Sequence, residues 1–344
     1  MTRAIVCLGA CVIAFAIAFA GWHASPASYD FLALYSSARL VATGHAADVA
    51  DRDAILRVEH ETRPERTLFL NNPNPPALSL VLAPLGALPF DVAYVLMLAL
   101  LVAALAASAF LLAPLAPPGP RAWLFPFAML APASLIALVQ GQTTPLVLLA
   151  IAASLRVAPR RSGLLVAAVA FRPQLLPIFA VVALVDRERR WPFVAGVTAI
   201  ALVSLALIGP SGLPGYVDLV TSSAGELRPV DIGLPSLVRR VLGGDAFVNL
   251  TVSAALMVIG AVAVMRLPRD TRVPAATAWS VLASPHALMH DGVIAYPAVA
   301  AVSRDTRGAA MWVGAGIGAS IVQQAGLPVA ALYLLALAIF TLRR

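Results

Sequence analysis

Few residues of this chain can move a proton or hold an anion, and they sit at the ends of apolar runs. Asp30 follows the first apolar run almost at once. A carboxylate there can act as a general base that takes the proton of an acceptor hydroxyl; a solvated boundary acid or a helix cap before Phe31 is the plainer reading. Arg172 ends a short apolar run and precedes Pro173. Charge inside a membrane is expensive and mostly functional, and a guanidinium suits a bidentate phosphate contact; snorkelling to the interface is the alternative. His286, His290 and Asp291 lie between two short apolar runs. The histidines are four apart, like a metal-ligand pair, yet Ser284-Pro285 disfavours a regular helix around them. Hydrogen bonding to sugar or phosphate is preferred to metal binding, with an ordinary polar turn as the competing reading. No metal ligand is assigned, and a divalent ion is left open. Gln140, Gln142, Asn72 and Asn74, with Asn71, supply neutral donors and acceptors for hydroxyls, or equally caps for broken helix ends.

The elements that must position these groups are apolar. Of 344 residues, 60% are hydrophobic and 12% charged, where a soluble domain carries about 25% charged residues. The composition predicts an all-α polytopic membrane protein, a single domain over 1–344. The net charge of +7 comes from arginine alone. In short loops between apolar runs, arginines set orientation and meet lipid headgroups, so nucleic acid is not expected as a partner. Cys7 and Cys11 share the first apolar run and read as small packing residues. No Walker A loop, no GxGxxG opening a helix and no paired DxD motif is present, which argues against soluble-nucleotide chemistry.

Ala4–Trp22 reads as an uncleaved first helix, with Arg3 favouring a cytoplasmic N-terminus. Residues 23–76 form the first outer loop, holding two helical patterns expected to lie on the membrane surface: Phe31, Leu34, Ala38, Val41, and the charged stretch Asp51–Glu61. Ala77–Leu88 is only twelve residues, about 18 Å of helix against a core of about 30 Å, so it either spans a thinned region or is re-entrant. Later apolar runs, among them Asp91–Leu115, Trp123–Val139, Phe193–Ile208 and Ala246–Val264, bring the expected total to about ten to twelve transmembrane or re-entrant helices. A second larger outer loop is expected over 209–244. Arginines at 156–161, 186–190, 266–272 and 304–307 mark one face as cytoplasmic; Asp30, Gln140, Arg172 and His290 then share the other. Pro173 marks a helix break beside Arg172, and irregular backbone at that depth needs a protein- or water-lined cavity.

Several motifs in order resemble those of the family-87 glycosyltransferases, of the GT-C superfamily. Tyr29-Asp30 with Tyr35, Ala38 and Gly44 resembles that family's first-loop Asp motif. Pro75-Pro76, Leu80, Pro84-Leu85-Gly86 and Leu88-Pro89 look like its "PP…L…PLG.LP" stretch, Gly141-Gln142 its "GQ" turn, and Phe171-Arg172-Pro173-Gln174 its "KPQ" motif. Ser284-Pro285 and His290-Asp291 resemble its late "SP…HD" element. Two departures are Asn74, where an aromatic often precedes the prolines, and Arg172 in place of lysine. The resemblance implies a GT-C-like bundle, a polyprenyl-phosphate hexose donor (mannose in many members), and inverting transfer to a lipid or glycan acceptor on the extracytoplasmic face of a bacterial inner or plasma membrane. It implies Asp30 as base and Arg172 with Gln174 at the donor phosphate. Tyr29, Tyr35, Asn72, Asn74, Gln140, Gln142, His286, His290 and Asp291 would line the substrate pocket. No cofactor beyond the lipid-linked sugar is implied. Two rivals stand beside this reading. A lipid or polysaccharide transporter or flippase predicts charges at mid-membrane and access to both faces; a noncatalytic assembly protein predicts that Asp30→Asn changes nothing.

Overall fold

The computed structural model describes residues 2–24, 30–65, 69–225, 231–243, 245–324, 327 and 329–342. Tyr29 lies outside the described residues. Those described are helical in every regular element, with one isolated β-bridge between Asp231 and Leu288. Among the described residues, five helices are long and apolar enough to cross a bilayer: Ile5–Ala24, Phe90–Leu115, Pro118–Val139, Arg187–Ser222 and Ala246–Met265. Shorter apolar helices accompany them at Phe31–Ala42, Ala77–Gly86, Thr144–Ser154, Pro173–Val185 and Ala330–Thr341. This is an all-α polytopic membrane protein.

The first half sets helix α1 (Thr2–Ala24), α2 (Phe31–Ala42), α3 (Arg52–Thr62), α4 (Ala77–Gly86) and α5 (Phe90–Leu112). Helix α2, expected on the membrane surface, is instead buried on every side from Phe31 to Ala38. The cause is α4, which lies so close that a Cβ on Gly86 would sit 2.4 Å from the Ala38 carbonyl carbon. Helix α3 keeps an exposed polar face and buries Ile55 and Val58; Asp51 caps it by accepting from Ala54 N at 2.9 Å, which satisfies an otherwise orphaned amide. Helix α5 is the central pillar. Its Tyr94 stacks on Trp22 of α1 at 4.5 Å and donates to the Val139 carbonyl at 3.0 Å.

The second half folds into helical hairpins with broken tips. Helices α6 (Pro118–Leu130) and α7 (Pro132–Val139) meet at Ala131, held extended by the proline after it. Residues 140–143 then turn the chain into α8 (Thr144–Ser154). The next hairpin rises through α9 (Pro159–Val166) and a 3-10 turn at Ala167–Phe171, and descends through α10 (Leu176–Val185). Its tip is Arg172, whose ψ of 75° departs from helical because Pro173 follows. A third tip lies between α14 (Arg272–Ala283) and α15 (Tyr296–Val302), where Ser284 is extended before Pro285. Ten residues of α10 make about 15 Å of helix, half of a hydrocarbon core of about 30 Å. The basic stretches 156–161, 186–190, 266–272 and 304–307 occupy the other ends of these hairpins.

Helix α11 (Arg187–Gly225) follows α10. The stretch 209–244, expected as a second larger outer loop, is helical over much of its length. Gly209, at φ 63°, takes a kink after which the chain stays helical to Gly225. Helix α12 (Leu234–Leu242), α13 (Ala246–Met265), α16 (Thr306–Gln324) and α17 (Ala330–Thr341) complete the described helices.

Candidate active site

The three hairpin tips and the start of α2 meet around a pocket of about 510 Å³. Its wall includes Asp30, Asn71, Asn72, Asn74, Gln142, Arg172, Gln174, His286, His290 and Asp291. Most of the residues singled out from the sequence therefore converge, although they come from five separate segments.

A continuous polar chain crosses the pocket. Gln142 Nε2 donates to Asp30 Oδ2 at 2.5 Å, and Gln142 Oε1 accepts from Arg172 Nη2. Arg172 also reaches Thr143 Oγ1 at 3.4 Å, and its Nη1 lies 3.8 Å from Asp291 Oδ1. One amide thus links a carboxylate to a guanidinium and fixes the orientation of both. Arg172 and Asp291 are buried, so their attraction is little screened. Asp291 is itself held, accepting from Thr144 Oγ1 at 3.4 Å and from Leu288 N at 3.1 Å. His290 Nδ1 donates to Gln140 Oε1 at 2.9 Å, because an amide oxygen can only accept. Its Nε2, 3.7 Å from Asp291 Oδ1, and the Nε of Arg172 are buried with no hydrogen-bond partner in the protein.

The local sequence explains the placement. Phe31 N donates to the Gln140 carbonyl at 2.9 Å, which ties the start of α2 to the 140–143 turn. Gly141 permits this: its φ is 62°, and a Cβ there would lie 2.7 Å from Phe31 Cβ. Asn72 donates to Ser37 Oγ at 3.0 Å and accepts from Asn74 Nδ2 at 2.8 Å. The first of these bonds ties the proline-rich segment to α2 at the pocket wall.

Two expected roles change. Tyr35 does not line the pocket: its hydroxyl donates to the Leu88 carbonyl at 2.7 Å and its ring packs on Phe90, so it fastens α2 to the α4–α5 junction. Gln140 sits behind the wall, where it orients His290 and anchors Phe31. Sequence reasoning gave no role to Asp231 or to Thr143 and Thr144. Asp231 Oδ1 lies 3.3 Å from His286 Nδ1, brought there by the bridge to Leu288 and by Ile232 N donating to the Ala287 carbonyl at 2.7 Å. No local signal announces that pairing. The threonines were legible only as neighbours of Gln142. Among the described residues, no three His, Cys, Asp or Glu side chains gather as a metal-binding group.

The family model for glycosyltransferase family 87 matches residues 72–289, well over half of the chain. The matched region contains Gln142, Arg172 and His286; Asp30, His290 and Asp291 lie beyond its ends and are joined to it by the contacts above. No curated protein and no solved structure matches the chain. A membrane-embedded helical bundle with a polar pocket, matched over that length, belongs to glycosyltransferase family 87.

Proposed function

We propose that this glycosyltransferase moves a hexose, mannose in the first instance, from a polyprenyl-phosphate donor to a lipid or glycan hydroxyl on the extracytoplasmic face. The acceptor oxygen attacks the anomeric carbon as the bond from that carbon to the phosphate oxygen breaks. Asp30 takes the acceptor proton, and the bonding electrons leave with the phosphate, whose growing charge meets Arg172. Gln142 holds the base in register with that cation. Gln174 and the Nε of Arg172 supply contacts to phosphate or sugar oxygens, His290 Nε2 accepts from a sugar hydroxyl, and Asn72 and Asn74 border the acceptor side. A donor anchored in lipid fits a pocket formed by short broken helices within a bilayer.

The observation that carries this reading is the Asp30–Gln142–Arg172 chain, a carboxylate and a guanidinium spaced by one amide across a pocket. The test is sugar transfer from polyprenyl-phosphate-mannose to a panel of lipid and glycan acceptors, in purified protein matched for folding. Asp30→Asn is expected to lower turnover by roughly a hundredfold or more. Transfer by both proteins at equal rate would remove Asp30 from the mechanism; transfer by neither would remove the donor assignment.

A further inference from the structure

At the ends of the hairpins away from the pocket, α9 and α11 start side by side. Arg160, Arg187, Arg190 and Trp191 surround a hollow there of about 1080 Å³, with Glu188 the one acid in its wall. All three arginines are exposed. The nearby acids are already engaged elsewhere. Asp186 is buried and accepts from Arg269 Nε at 2.8 Å, and its other oxygen accepts from Glu188 N at 3.1 Å. Glu188 leans toward the same Arg269, at 3.9 Å. The hollow therefore carries a net positive charge. Exposed apolar side chains continue from it along the same helices: Trp191 in its wall is 67% exposed, and Leu164 on α9 and Val185 at the end of α10 are 57% and 59% exposed. The Arg190 guanidinium lies 5.3 Å from the centre of the Trp191 ring, so cation and aromatic face form one surface.

We propose that this hollow binds an anionic phospholipid, with the headgroup phosphate on Arg160, Arg187 and Arg190 and the acyl chains along Trp191, Leu164 and Val185. A small inorganic anion would use the arginines and leave the apolar side chains bare; an amphiphile uses both. Tryptophan at the junction of charged and apolar surface fits the headgroup level of a bilayer. The lipid bridges the start of α9 to the start of α11, which are the two ends of the segment whose tip presents Arg172. Occupancy thus steadies the hairpin that holds the pocket's cation. The proposal does not depend on the identity of the sugar donor.

The test titrates detergent-solubilised protein with phosphatidylglycerol, phosphatidylcholine or sodium phosphate, and reads thermal unfolding and lipid retention by native mass spectrometry. Phosphatidylglycerol is expected to raise the Tm of the wild type and to be retained; the other two are not. In Arg160→Gln/Arg187→Gln/Arg190→Gln the half-saturating phosphatidylglycerol concentration rises by about tenfold or more. Arg266→Gln/Arg304→Gln/Arg307→Gln, which removes the same charge from the other basic turns, keeps the wild-type value. Equal weakening in both triple variants would overturn the site in favour of a diffuse field. A full Tm shift from sodium phosphate would overturn the lipid in favour of a small anion. Should the first variant not fold, wild-type selectivity between the two lipids decides, and equal retention overturns the proposal.

Discussion

Gln142 is the residue on which the pocket's geometry turns. Its amide donates a hydrogen bond to Asp30 and accepts one from Arg172, so a single side chain sets the spacing between the proposed base and the proposed phosphate contact. Gln142→Leu keeps the volume and removes both bonds. The expected outcome is a loss in kcat on the order of a hundredfold with helix content retained, since misplacing a catalytic group by about 1 Å costs that much; transfer kinetics with circular dichroism check it. Gly141 matters in a different way. Gly141→Ala forces a side chain into the left-handed region, costing about 1–2 kcal/mol, and drives its Cβ against Phe31. Lowered Tm and lowered turnover are expected together, because the same turn carries Gln140 and Gln142. Asp30, Arg172 and the His290-Asp291 pair stood out in the sequence because charges are scarce there. The bridging role of Gln142 did not, since an amide beside a glycine serves equally as a helix cap.

Prolines made several element ends readable in advance. Arg172-Pro173 and Ser284-Pro285 each push the residue before proline out of the helical region, and both breaks fall at hairpin tips in the pocket wall. Gly209-Pro210 does not end its helix in this way. There the glycine absorbs the kink, and the proline sits within the first turn of the next helical stretch, where its missing N–H costs nothing. Burial of α2 was equally hidden, because its helical pattern does not reveal that Gly86 admits α4 to backbone contact. At the basic ends, Asp186 joins α10 to the α13–α14 turn through Arg269. The hydrogen bonds from Arg269 hold its carboxyl below the usual carboxylate range, against the opposing effect of burial. A folded-state pKa below the unfolded one stabilises the fold above about pH 4 and loses that contribution as pH falls through the depressed value. Asp186→Asn is therefore expected to lower Tm at neutral pH, with the gap to wild type closing toward strongly acidic pH; thermal scans across pH measure it.

On the scale of the whole molecule, arginine placement forecast a division that the fold keeps: basic turns at one end of the hairpins, broken polar tips at the other. The direction of that axis in the cell is testable by labelling. In a Cys7→Ser/Cys11→Ser background, Arg57→Cys on the exposed side of α3 is expected to react with an impermeant maleimide in intact cells. Arg161→Cys is expected to react only after permeabilisation. The reverse pattern would move the proposed transfer to the cytoplasmic face.

The clasp between Phe31 and the Gln140 carbonyl has one more consequence. It welds Asp30, Gln140 and Gln142 into a single rigid piece, whereas Arg172 rides on the separate α9–α10 hairpin. The hydrogen bonds that join Arg172 to this piece, to Gln142 and Thr143, run through side chains. A seam therefore crosses the pocket between the half proposed to take the acceptor and the half proposed to hold the phosphate. In the proposed reaction, small sliding along that seam would release the lipid phosphate while Asp30 stays aligned for the next acceptor.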